Sequence, residues 1–190
     1  MPCVVDYPIV LAQLRQQGLV CLYHNSGAFG FPREIPTQSR GWIGPADDSI
    51  QLLARSLTRP VPQPYEANLA AMAERAWLNC LPGNVWVMPK SHWAYELQFG
   101  SREWMAGLLE KIGIDSRLLV DRNNAAAIEF ASGEIDLFRQ FVQGLLEMLH
   151  GSDFLLAFGS HKTVCTIHSH KQLWWTTANA QIAMELDRVL

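Results

Sequence analysis

The stretch DFLLAFGSHKTVCTIHSHKQLWWTT, residues 153–177, decides the fold of this chain. It holds three of the six histidines and two of the seven tryptophans. FLLAF (154–158) is a continuous apolar run, the pattern of a strand buried on both faces. Gly159-Ser160 marks a turn. Thr163 to Ser169 is rich in β-branched residues, and His170-Lys171 makes a second, polar turn. Leu173 to Thr177 then resumes with aromatic and β-branched residues. The stretch is expected to form an antiparallel β-meander.

Successive side chains on a strand point to opposite faces. Val164, Thr166, His168 and His170 are therefore expected on one face, with Cys165, Ile167 and Ser169 on the other. Trp174 and Trp175 are adjacent, so a regular strand sends one indole each way. One can enter a core. The other needs cover from elsewhere in the chain, from a ligand or from a partner.

Working outward, the C-terminal flank offers Asn179 as the cap of a helix from Gln181 to Val189. On the N-terminal flank, Ser132 is expected to cap a helix from about Gly133 to Leu149. Its apolar stripe is Phe138, Phe141, Val142, Leu145, Leu146 and Leu149. Strands are expected at Val85–Met88, Trp93–Phe99, Arg117–Val120 and Ala126–Phe130. Helices are expected at Tyr65–Asn79 and from Ser101 to Ile112. Further upstream, Asp6 can cap a helix beginning near Pro8 and ending at Gly18. LVCLY (19–23) is a short strand candidate. Residues 24–48 carry four glycines and three prolines and read as loop, with a short strand near Phe29–Phe31. Asp47 or Asp48 can cap a helix reaching Leu57, and Pro60, Pro62 and Pro64 then make a stiff connector.

Hairpins rather than strand–helix–strand crossovers dominate after residue 84. The expected class is α+β: a mainly antiparallel sheet with helices packed on one face. ELQFGSREW and AIEFASGEI echo each other, each followed by a helix containing Gly-Leu-Leu-Glu, which admits two related strand–helix halves. One domain over 1–190 is expected, within which a helix- and loop-rich lobe (1–64) can pack on an α+β unit (65–190).

Composition narrows the function. Hydrophobic residues make up 49% of the chain and charged residues 17%, which is a globular balance. A net charge of −3 supplies no basic face for duplex nucleic acid. Cys3, Cys21, Cys80 and Cys165 form no CxxC pair and read as free thiols. MPCVVDYPIVL lacks a basic leader region, and no apolar run approaches the ~18 residues that span a bilayer. A cytoplasmic protein with no membrane segment is expected.

Two constellations could carry function. The first is an aromatic sheet face with Trp174 or Trp175 beside His168 and His170. It suits a non-catalytic module that binds a small molecule or a protein and needs no cofactor, and an uncovered face can also pair with its own copy as a homodimer. The second is metal-based. Two histidines at i, i+2 on a strand can supply two ligands, with Glu96 or His92 completing a site for Zn or Fe in a metal-dependent hydrolase. Against it, a polar sheet face carries His, Thr and Glu as a matter of course, and no HExxH motif is present. GxSxG and GxxxxGK[ST] motifs are also missing, so neither a serine nucleophile nor a phosphate loop is indicated.

Overall fold

The structure is a computed structural model that describes residues 1–16, 20–21, 29–30, 38–44, 59–89, 93, 103–120, 126–148, 153–168, 171–177 and 179–190. Within 20–60 the description is of the backbone alone. The strands are β1 (Cys3–Asp6), β2 (Val20–Cys21), β3 (Phe29–Gly30), β4 (Gln38–Gly44), β5 (Arg59–Pro60), β6 (Val85–Pro89), β7 (Ala126–Phe130), β8 (Phe154–Phe158), β9 (Thr163–His168) and β10 (Gln172–Thr177). The helices are α1 (Tyr7–Gln16), α2 (Tyr65–Cys80), α3 (Glu103–Lys111), α4 (Arg117–Val120), α5 (Ile135–Met148) and α6 (Ala180–Val189). Eight strands form one sheet in the order β1-β7-β6-β8-β9-β10-β4-β5, antiparallel throughout except for the β4–β5 pair. This is the α+β, mainly antiparallel architecture expected from the sequence. Strands from the first 64 residues add to the same sheet as those from the remainder.

The meander forms as expected. β8, β9 and β10 are consecutive neighbours, and all five residues of β8 are buried. A 3-10 turn at Gly159–His161 and Lys162 (φ 50°) connect β8 to β9. Lys171 (φ 59°) closes the second turn, its N–H bonded to His168 O.

The sheet has two unlike faces. Val85, Val87, Ile128, Phe130, Phe154, Leu156, Phe158, Ile167, Leu173 and Trp175 face the larger core, built with α2 to α6. The alternate residues Trp86, Met88, Ala127, Leu155, Ala157 and Val164 face the other way, against Val10 and Leu14 of α1. Helices therefore gather on one face, and α1 alone among the described helices covers part of the second.

Capping fixes the helix ends. Asn179 Oδ1 accepts from the N–H groups of Gln181 and Ile182, the expected cap of α6. Just ahead of α5, the Glu134 N–H bonds Ala131 O and closes a turn, and no cap bond from Ser132 to the helix is seen among the described residues. The Glu134 carboxylate accepts from Ala131 N and pairs with the Met1 ammonium. Inside α5, a Cβ built on Gly144 would stand 2.4 Å from Leu108 Cδ1 of α3, so the missing side chain lets the two helices approach. Gly107, at the matching place in the other Gly-Leu-Leu-Glu copy, has nothing within 4 Å, so the two copies are not packed equivalently. Gly144→Ala is expected to destabilise by about 1 kcal/mol, overpacking outweighing the helix-propensity gain. In a Leu108→Ala background the same change is expected to stabilise by about 0.5–1 kcal/mol. Urea unfolding of the four variants checks the reversal of sign.

Four expectations are corrected. Residues 117–120 form helix α4, not a strand. Asp115 Oδ1 accepts from Arg117 N and its carboxylate is gripped by the Arg117 guanidinium, so the cap overrides the strand preference of Leu-Leu-Val. Residues 38–44, read as loop, form β4. Its pairing with β10 shifts register between Trp174–Trp42 and Thr176–Ser39, which places an extra residue on β4 around Gly41, where a bulge favours glycine. Residues 3–6 form an edge strand on β7 that the helix cap at Asp6 obscured. Trp93, expected to begin a strand, has helical backbone, and its indole N–H reaches Ala126 O at 2.9 Å. The rest of the expected strand 93–99 and the helix expected near 48–57 lie outside the described residues.

Candidate functional site

The register of the meander lays its side chains out in rows. Trp174 stands opposite Thr166, and Gln172 opposite His168. Phe154 pairs with Ile167, so Asp153 comes opposite His168, and His168 Nε2 lies 3.8 Å from Asp153 Oδ1. One row is thus Asp153–His168–Gln172 and the next is Leu155–Thr166–Trp174, on the face that α1 also packs against.

The two indoles part as expected. Trp175 is fully buried in the larger core, its ring stacked on Phe158 at 5.8 Å and 26°. Trp174 projects to the second face and is half-buried. Of the aromatic-face candidates, Trp175 is therefore a core residue, whereas Trp174 and His168 share a surface. His170, Glu96 and His92 lie outside the described residues, as does His24. Among the described residues no group of three or more His, Cys, Asp or Glu is placed to hold a metal ion.

Two members of the polar row were missed in the sequence. Asp153 and Gln172 sit just outside the apolar runs, and the sequence pattern assigns neither a role. Only the strand register brings them beside His168. Gln172 is 1% exposed, and its Oε1 finds no hydrogen-bond donor among the described residues. A buried acceptor left in that state is uncommon in a folded protein.

Other chemistry-bearing groups are engaged in holding the turns. His161 Nε2 lies 2.6 Å from Pro82 O, which ties the first turn to the α2–β6 connection. Lys171 donates to Glu66 in the first turn of α2. The hydrogen bond from Lys171 holds the Glu66 carboxyl below its ordinary value, with a backbone bond helping and partial burial opposing. A carboxyl lowered on folding stabilises above its unfolded value and loses that contribution as pH falls. Glu66→Gln is therefore expected to lower the urea midpoint at pH 7 and to lie nearer wild type at pH 3. The difference is expected to stay under about 1 kcal/mol, because both side chains are partly exposed.

None of Cys3, Cys80 and Cys165 is activated. Burial pushes the Cys165 thiol well up, and burial followed by Glu185 raises that of Cys80. Cys3 is exposed, and its thiol is raised by desolvation and then by Glu129. All three are free thiols. No described helix is long and apolar enough to cross a membrane. No family model, no curated protein and no solved structure matches the chain.

Proposed function

We propose that the protein is a non-catalytic module that binds a small molecule on the second sheet face, at Trp174 and the row Asp153–His168–Gln172. The observation that supports this is the parting of the indoles. The larger core takes Trp175 whole, and Trp174 presents a partly exposed ring beside an imidazole, a hydroxyl and an amide. An aromatic surface with a few convergent polar groups is the usual make-up of a small-molecule site. A cytoplasmic setting goes with this reading, supported by the free thiols of Cys3, Cys80 and Cys165. The test is a thermal-shift screen of a chemically diverse library against wild type and Trp174→Ala. Compounds are expected to raise the melting temperature of wild type and not of the variant. Compounds that raise both alike, or none that raises either, remove the proposal.

A metal-dependent hydrolase built on His168 and His170 with Glu96 or His92 is the second reading. What favours it is Asp153, because a carboxylate beside the distal ring nitrogen orients metal-binding histidines. Elemental analysis of purified protein decides: stoichiometric Zn or Fe supports the hydrolase and removes the cofactor-free module.

A further inference from the structure

We infer that the groove between α3 and α5 is the contact face of a two-fold dimer, its occupant being a second copy of this chain. The groove measures about 450 Å³, and Lys111, Gln140, Gln143, Gly144 and Glu147 are among the residues that line it. Gly144 brings no side chain to it and lies against Leu108. The two helices run in opposite senses. Leu108 meets Gly144, while Gly113, just past α3, lies against the Met1 side chain, and the Met1 ammonium pairs with Glu134 just ahead of α5. Lys111, one turn beyond Leu108, therefore stands level with Gln140, one turn before Gly144. Glu147 stands about one turn beyond Gly144 on the other side.

Charge selects the occupant. Arg139, on the same face, is already paired with Glu74 at 3.3 Å and lies 3.9 Å from Asp136. Lys111 and Glu147 are exposed, and neither forms an ion pair among the described residues. Glu147 accepts from the Gln143 amide alone among those residues. The groove is thus left with one positive end and one negative end. An antiparallel copy of α5, on a two-fold axis between Gln143 and Gly144, sets each Lys111 beside Glu147 of the other copy. A two-fold contact uses the same residues twice, so one complementary pair becomes two. Gln143 meets its own copy near the axis, and a primary amide both donates and accepts. α5 has 14 residues, about 21 Å of helix, so the dimer falls in the small, weak class of interfaces. It does not depend on a ligand at Trp174, because α3 and α5 pack on the opposite face of the sheet.

Sedimentation velocity of the full chain over a concentration series tests this. Wild type is expected to form a concentration-dependent dimer, weakened at least about threefold between ~50 and ~500 mM NaCl, since exposed ion pairs are screened. Lys111→Glu and Glu147→Lys each place like charges across the axis, and each is expected to weaken the dimer at least about tenfold. Lys111→Ala and Glu147→Ala remove the pair without adding repulsion and are expected to fall between wild type and the reversals. All four positions changed are exposed, and urea midpoints close to wild type check that the variants fold. The deciding measurement is an equimolar mixture of the two reversals. One chain then carries acid at both positions and the other carries base at both, so the mixed pair has two attractive contacts. The mixture is expected to associate to within about threefold of wild type, a result that no change in folding of either variant produces. A wild-type chain that stays monomeric, reversals that leave the dimer intact, or a mixture that fails to associate overturns the inference.

Discussion

Trp175→Ala is expected to lower the unfolding free energy by about 3–5 kcal/mol, and Trp174→Ala by no more than about 1.5 kcal/mol. The two residues are chain neighbours of the same type, so composition and propensity cancel. Only the face differs. Trp175 is 0% exposed and stacks on Phe158, so truncation leaves a cavity lined by the larger core as well as losing the transfer energy of the ring. Trp174 is half-buried, and its truncation removes less area from cover. For a domain whose whole stability is of order 5–15 kcal/mol, the first change brings the chain near its unfolding threshold. Trp175→Phe separates the terms further. The Trp175 indole N–H is buried with no hydrogen-bond partner among the described residues, so phenylalanine removes a desolvation cost while keeping most of the ring. That variant is expected within about 1 kcal/mol of wild type. Urea unfolding of the three variants checks the pattern. Equal losses at 174 and 175 would mean that both rings lie on one side of the sheet.

The elements legible in the sequence are those whose information is local. The α5 stripe of Phe138, Phe141, Val142, Leu145 and Leu146 repeats at helical spacing, and all five are buried. FLLAF coincides with β8, and Asn179 caps α6 through its own side chain. The misreadings share a different cause. β4 carries Gly41 and Gly44, which read as loop, yet β10 supplies pairing partners that no local window contains. β1 is only four residues long and exists because β7 lies beside it. The site divides in the same way. The opposed indoles follow from alternation alone, and the metal partners proposed for His168 were sought at Glu96 and His92. Asp153 was overlooked although it needed only the register of two strands already recognised. Gln172 was overlooked because burial of a polar side chain is a property of the assembled layers, not of the residues next to it in the chain.

Phe138 carries the second large effect, because it joins three elements. Its ring lies 4.6 Å from Trp77 of α2 at 64° and 5.7 Å from Phe130 of β7 at 79°, both edge-to-face. Trp77 in turn donates its indole N–H to Gly83 O at 2.8 Å, which holds the α2–β6 connection against the same cluster. Phe138→Ala is expected to cost about 3–5 kcal/mol, the cavity being walled by a helix, a strand and a second aromatic ring. Phe138→Leu keeps most of the apolar volume and loses the ring geometry, so it is expected to cost about 1–2 kcal/mol. A double-mutant cycle of Phe138→Leu with Trp77→Leu isolates the aromatic part. Each change removes one ring of the edge-to-face pair, so the coupling is expected to be about 0.5–1.5 kcal/mol. The measurement is again urea unfolding, with the slope watched as well as the midpoint, since a changed slope would signal a changed denatured ensemble rather than a lost contact. Additive losses in that cycle would show that Trp77 and Phe138 contribute by volume alone, and that the edge-to-face arrangement adds nothing to the packing of α5 on α2.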